Sequence, residues 1–257
     1  MDERTAQPGP VDPGASHEAP YSTGYFNESL RGCVEAGRLI LGQVLKNYPV
    51  RSMLDVGCGI GTWLRAAGEL GIKDLAGLDG QYIDLDSVLF DPAVFVATDL
   101  SKPFRLERRF DLTVCSEVAE HFTHERAPGF VRDIAATSDV IVFSAAVPFQ
   151  GGDDHFNEQW PEYWAILFRQ NGFVCFDAIR DRIWNDTVAE SGYAQNVFLY
   201  VKEGHDLEAK LLRYRADRRS LSRVHPKIFL TNVTRSRPLP SAVLESEIAD
   251  WQVIVEA

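Results

Sequence analysis

Two spacings of apolar residues alternate along this chain. Over residues 27–48, Leu30, Val34, Ile40, Leu41, Val44 and Leu45 recur at helical intervals, and Pro49 supplies a stop just beyond. Short apolar runs then alternate with helical patterns. The runs predict strands at 52–56, 74–78, 94–98, 110–115, 140–144, 173–179 and 197–201. Helices are predicted at 62–70, 127–137 and 161–171, and Gly71 and Gly172 close the first and the last. The run at 140–144 is continuously apolar, which suits a strand buried on both faces. Strands and helices joined by short connections predict an α/β fold with a mainly parallel sheet.

The ends read differently. Residues 1–20 hold Pro8, Pro10, Pro13 and Pro20 and almost no large apolar side chains, so a disordered leader is expected there. A domain over 21–204 follows, then a charged helical extension and tail over 205–257, helical at 205–223 and undecided after Pro238.

Charge and composition narrow the classes. A net charge of −11 argues against a general nucleic-acid binder, which needs basic surface against phosphates. The acids concentrate in the body, whereas residues 205–238 carry nine bases and three acids. Lys210, Arg213, Arg215, Arg218 and Arg219 there read as a solvated face; an acidic partner or a subunit contact, and so a homodimer, is the other use. No apolar run reaches the roughly 18 residues of a membrane span, and the N-terminus lacks the apolar core of a signal peptide. Cys33, Cys58, Cys115 and Cys175 are scattered, so neither a disulfide framework nor a zinc knuckle is expected, and a reducing cytoplasm is the default compartment.

The most informative stretch is Leu54-Asp55-Val56-Gly57-Cys58-Gly59-Ile60-Gly61-Thr62-Trp63. An apolar strand enters three alternate glycines, then a helix opens. Glycines permit a tight turn and close approach of a ligand, and the helix start offers free N–H donors. The spacing is G-x-G-x-G with an acid two residues upstream, and no P-loop lysine follows. A carboxylate at Asp55 suits a ligand with an amino group better than a pyrophosphate.

This acid–glycine pattern resembles the first motif of class I S-adenosylmethionine-dependent methyltransferases. The resemblance covers about residues 25–201. It implies a Rossmann-like, doubly wound sheet of seven strands with the last antiparallel, and S-adenosylmethionine as cofactor. It implies that Asp79, before Gly80, takes both ribose hydroxyls, and that Asp99, before Leu100, takes the adenine amino group. The cofactor set it implies is Asp55, Gly57, Cys58, Gly59, Gly61, Trp63, Asp79, Gly80, Asp99, Leu100, Ser116, Glu117 and Tyr25. Tyr21 and Tyr25 lead into the first helix; in the resembling family such segments often cover the cofactor, and a disordered end is the alternative.

The fourth strand leads into Cys115-Ser116-Glu117-Val118-Ala119-Glu120-His121, two acids and a histidine at E-x-x-E-H spacing. One helical turn would set Glu117, Glu120 and His121 on a shared face. The segment resembles that of ubiquinone-pathway O-methyltransferases and small-RNA 3′-end 2′-O-methyltransferases. That resemblance implies a divalent ion on Glu117, Glu120, His121 and a later histidine, His155. Carboxylate and imidazole suit magnesium, manganese, iron or zinc alike. In the other reading His121 or His155 is itself the general base, and in a third the segment caps a helix and orients the cofactor.

After the fifth strand, residues 144–164 form a long polar and aromatic loop, flexible at Gly151-Gly152, at a strand end where acceptor sites belong. Its His155-Phe156-Asn157-Glu158-Gln159-Trp160-Pro161-Glu162-Tyr163-Trp164 resembles a signature of a bacterial methyltransferase subgroup found in natural-product and surface-polysaccharide settings. Asn157, Glu158 and Gln159 are candidates to bond acceptor hydroxyls, whereas Trp160, Tyr163 and Trp164 suit helix packing. Trp184 and Asn196, between the last two strands, are candidates for the acceptor floor, against a plain hairpin. The expectation is methyl transfer to a small sugar, polyol or phenol oxygen. RNA-end methylation and a cofactor-binding homologue with other chemistry are the alternatives.

Overall fold

The computed structural model describes residues 23–186, 191–216 and 221–236. The leader at 1–20, Tyr21, the side chain of Tyr25, Arg218, Arg219 and the tail after Pro238 lie outside the described residues. Seven strands form one sheet: β1 (Ser52–Val56), β2 (Asp74–Asp79), β3 (Phe95–Ala97), β4 (Leu112–Ser116), β5 (Val140–Ser144), β6 (Phe173–Phe176) and β7 (Phe198–Lys202). Their order is β3-β2-β1-β4-β5-β7-β6. All neighbours pair parallel except β7, which runs antiparallel to both β5 and β6. This is the doubly wound sheet expected, with the last strand antiparallel.

Successive strand residues point to opposite faces, so each strand feeds two cores. Met53, Val140 and Val142 join Ile40 and Leu41 of α1 (Thr23–Leu45) and Trp63 and Leu64 of α2 (Thr62–Glu69) on one face. Leu54, Ile141 and Phe143 join Phe130 and Ile134 of α3 (Ala127–Ala135) and Trp164 and Phe168 of α4 (Pro161–Gln170) on the other. The chain leaves β1 towards β2 and β3, then returns to β4 on β1's other side. That reversal opens a crevice at the carboxyl ends of β1 and β4.

The late chain differs from the sequence reading. Among the described residues of 205–223, helix occupies α7 (Leu207–Leu211) and a 3₁₀ turn at Leu212–Tyr214. The chain then lies along the edge of β6: Asp177 N–H donates to the Tyr214 carbonyl (2.8 Å) and Ala216 N–H to that of Cys175 (3.0 Å). Backbone pairing with an open sheet edge thus outweighs the helical pattern there. Two short helices, α5 (Arg180–Ile183) and α6 (Ser191–Asn196), stand between β6 and β7, and α8 (Pro226–Ser236) follows. Residues 221–225 are stitched to this excursion. The fully buried Arg180 binds Asp177 (2.5 and 3.0 Å) and donates to the carbonyls of Gln195 (3.1 Å) and Leu221 (2.8 Å). Ser222 bonds Glu162 on α4, and His225 N–H donates to Gln195. Among the described residues, no helix is long and apolar enough to cross a membrane.

Candidate active site

A cleft of about 820 Å³ opens at the reversal point, lined on one side by Gly57, Asp79, Gly80, Asp99 and Leu100 and on the other by Glu117, Val118, His121 and Asp154. The glycine loop is shaped by positions no side chain would fit. Gly57 has φ 78°, and a Cβ there would collide with Val118; Gly61 has φ 86°, and a Cβ would meet the Phe90 ring. The loop folds back on β2: the N–H groups of Gly57 and Cys58 both donate to the Leu78 carbonyl (2.8 and 3.1 Å).

Asp79 closes the turn. Its Oδ2 accepts from Gly59 N–H (2.7 Å), and its Oδ1 from Gly80 N–H (2.7 Å) and the Tyr82 hydroxyl (2.5 Å). Asp99 is more exposed; its carboxylate accepts from Ser101 and pairs with Lys102 at 2.8 Å, which hold it at about 2. Asp55 lies beneath the loop, fully buried, with Oδ2 unpartnered. Burial first, then Asp79, push its carboxyl up to about 8.

Several of the expected cofactor residues turn away from the cleft. Cys58 and Trp63 point into the core, with Trp63 edge-on to Tyr193. Alternation along the loop and the first helical turn sends those side chains inward, so only their backbone belongs to the turn. Ser116 bonds Ser144 across β4 and β5 (2.8 Å) and does not line the cleft.

The E-x-x-E-H segment is not one α-helical turn. Glu117 adopts φ 54°, in the left-handed region that non-glycine residues rarely enter, and a 3₁₀ turn follows at Ala119–His121. Glu117 therefore leaves the shared face. Its carboxylate accepts from Gln150 Nε2 (3.0 Å) and from Asn196 Nδ2 (3.2 and 3.3 Å). Glu120, His121 and His155 do meet, each offering a ligand atom within 4.8 Å of the others. Glu120 is buried; Oε1 accepts from Ala146 N–H (3.2 Å), and Oε2 has no partner. Burial, then Glu117, push its carboxyl up to about 9.

The two histidine rings stand edge to face at 4.9 Å. His121 Nδ1 donates to the Asp154 carbonyl (3.2 Å); partial burial, then His155, hold its imidazole below the ordinary value. Of the pair, His121 lines the cleft and His155 sits behind it. Of the two candidate bases the cleft thus presents His121, because the loop folds His155 under its own Gly152 backbone.

None of the five expected acceptor residues lines the cleft. Asn196 reaches it only through Glu117. Asn157 is buried, receives Gln159 Nε2 (2.9 Å) on its side-chain oxygen and leaves Nδ2 unpartnered. Trp184 packs on His225 at 5.0 Å, and its carbonyl accepts from that ring, so it serves the C-terminal contact. Gln150, Gln195 and Tyr82 were not anticipated, since single polar residues in loops carry no spacing signal. Glu158 does not face an acceptor: it binds its own loop.

A family model described as a methyltransferase domain matches residues 31–186, more than half of the chain. The chain belongs to this family. The fold agrees with solved structures at low identity, methyltransferases among them. The magnesium protoporphyrin IX methyltransferase ChlM from Synechocystis PCC 6803 with bound SAH is 15% identical, with a TM-score of 0.53, covering 72% of this chain and 90% of that one. The sugar N-methyltransferase KedS8 from Streptoalloteichus sp ATCC 53650 is 14% identical, TM-score 0.53, covering 77% and 99%. Streptomyces venezuelae DesVI is 17% identical, TM-score 0.51, covering 69% and 95%. No curated protein matches. The enzyme is thus a methyltransferase of the class I, S-adenosylmethionine-dependent type, and the cleft is where its sheet places a ligand site.

Proposed function

We propose that this methyltransferase methylates an oxygen of a small acceptor, a sugar, polyol or phenol, and does so at the cleft between Asp79 and His121. The observation that carries the reading is that the His121 imidazole, which partial burial holds below its ordinary value, faces the Gly57–Asp79–Asp99 wall across the cleft. S-adenosylmethionine supplies an already activated methyl group, so the chain's own part is positioning and removal of a proton.

The residues present fit that cofactor. Asp79 keeps an acceptor position free, and the largely exposed Tyr82 can swing away to release a second, which suits a ribose diol. Asp99 offers an ionised carboxylate beside Leu100 for an adenine amino group. The unpartnered buried oxygen of Asp55 suits a cationic amino group above the loop. His121, held through Nδ1 by the Asp154 carbonyl, presents Nε2 to take the acceptor proton.

With His121 Nε2 as a ligand in place of the base, Glu120, His121 and His155 fit a divalent cation, magnesium, manganese, iron or zinc. The test is the stranded Glu120 oxygen: a buried polar oxygen without a partner is costly, and a cation would take the place of the carboxyl's proton and engage that oxygen. Bound there, a cation supplies charge that lowers the pKa of an acceptor hydroxyl. A screen of hydroxylated small molecules with S-adenosylmethionine, read by mass, tests the proposal. A gain of one methyl on a sugar, polyol or phenol supports it; gain only on RNA ends, or on no substrate class, refutes it.

A further inference from the structure

We propose that Glu158 is the positioning residue of the His121–His155 centre, one carboxylate that both staples the acceptor loop and fixes which nitrogen of His155 carries its proton. The inference rests on the methyltransferase reading above.

Three donors converge on this side chain. Glu158 Oε2 accepts from Phe149 N–H (2.7 Å), and Oε1 accepts from Gly151 N–H (2.8 Å) and meets His155 Nδ1 (3.0 Å). The loop it closes is strained. Phe149 stands at φ 67° and Asp154 at φ 57°, left-handed conformations that non-glycine residues keep only where the surroundings hold them. Phe149 is 86% exposed, so its side chain does not anchor it. Backbone bonds to Glu158, and the Asn232 side chain on the Phe149 carbonyl (2.5 Å), do.

A carboxylate only accepts, so His155 Nδ1 must donate. The lone pair then belongs to Nε2, the nitrogen that packs against Gly152. Without Glu158, a neutral imidazole is free to move its proton to Nε2, and the ring beside His121 would exchange its acceptor for a donor. His121 provides the internal contrast, because its Nδ1 is fixed by the Asp154 carbonyl instead.

The test needs no acceptor. Long-range nitrogen–proton NMR of the full chain, above the imidazole titration range, reads each histidine's tautomer. Wild type is expected to show His155 as Nδ1–H. Glu158→Leu, which removes both acceptor oxygens, is expected to shift His155 towards Nε2–H, Glu158→Gln, which keeps an acceptor oxygen for Nδ1–H, to hold the wild-type tautomer, and His121 to stay unchanged in both. An Nε2–H His155 in the wild type, or an unchanged tautomer in Glu158→Leu, overturns the proposal. Should Glu158→Leu fail to fold, the wild-type tautomer alone decides. Calorimetric titration with S-adenosylhomocysteine, run on the same samples, reads the methyltransferase assignment of the cleft separately. Failure of wild type to bind would overturn that assignment and leave the tautomer result standing.

Discussion

The two walls of the cleft are built by different means. On the β1–β3 side, the backbone does the shaping: left-handed glycines at Gly57 and Gly61, and Asp79 bonded to N–H groups of Gly59 and Gly80. On the β4–β7 side, side chains bond one another across the chain. Glu117 meets Gln150, Asn196 meets Gln150 and Glu117, and the separations are 33, 46 and 79 residues. A wall made by local backbone is cheap to specify and tolerant of what surrounds it. A wall made by a long-range polar network is strong only while every member is satisfied.

This contrast predicts unequal responses to substitution. The largest belongs to the acceptor wall. With an acceptor identified by methyl gain, His121→Asn is expected to lower kcat by about 10²–10⁴-fold while S-adenosylhomocysteine affinity holds. A drop below tenfold would remove His121 from the chemistry.

Arg180→Ala comes next. The buried guanidinium bridges Asp177, α6 and residue 221, and breaking a buried pair costs about 3–5 kcal/mol. Urea unfolding checks this, and a change under 1 kcal/mol would mean that the network is not the support of this wall.

On the backbone-built wall, Asp79→Ala is expected to weaken S-adenosylhomocysteine binding about 10- to 100-fold, the worth of charge-assisted hydrogen bonds. Unchanged affinity would move the cofactor elsewhere.

The last effect is a slope in pH rather than a single loss. Asp55 keeps its proton up to about 8 in the folded chain, against 3.8 ordinarily. Its raised pKa favours folding most at acid pH, and that contribution fades as pH rises from the ordinary carboxylate value to about 8. Unfolding free energy measured across this window is expected to fall less steeply in Asp55→Asn than in wild type. Parallel slopes would show that Asp55 titrates normally.

The same contrast explains what the sequence could reveal. The alternation of strands and helices and the glycine loop were legible because spacing along a few residues dictates them, whereas the doubly wound sheet, Asp79 and Asp99 came with the resemblance that the loop carries. Glu117 was misplaced because a helical turn was assumed where the backbone turns left-handed, a choice set by the amides that receive its carboxylate. His155 was named, but its place behind His121 depends on Glu158 and on loop strain, which no local pattern encodes. The 205–223 stretch reads as helix by composition, yet its end pairs with the edge of β6, a partner some 40 residues earlier.

The central claim is that the backbone-built wall holds the cofactor. Hydrogen exchange with and without S-adenosylhomocysteine tests it segment by segment. The account predicts slowed exchange at residues 57–61, 79–82 and 97–102, with 149–159 unchanged. No slowing, or slowing confined to 149–159, would contradict it.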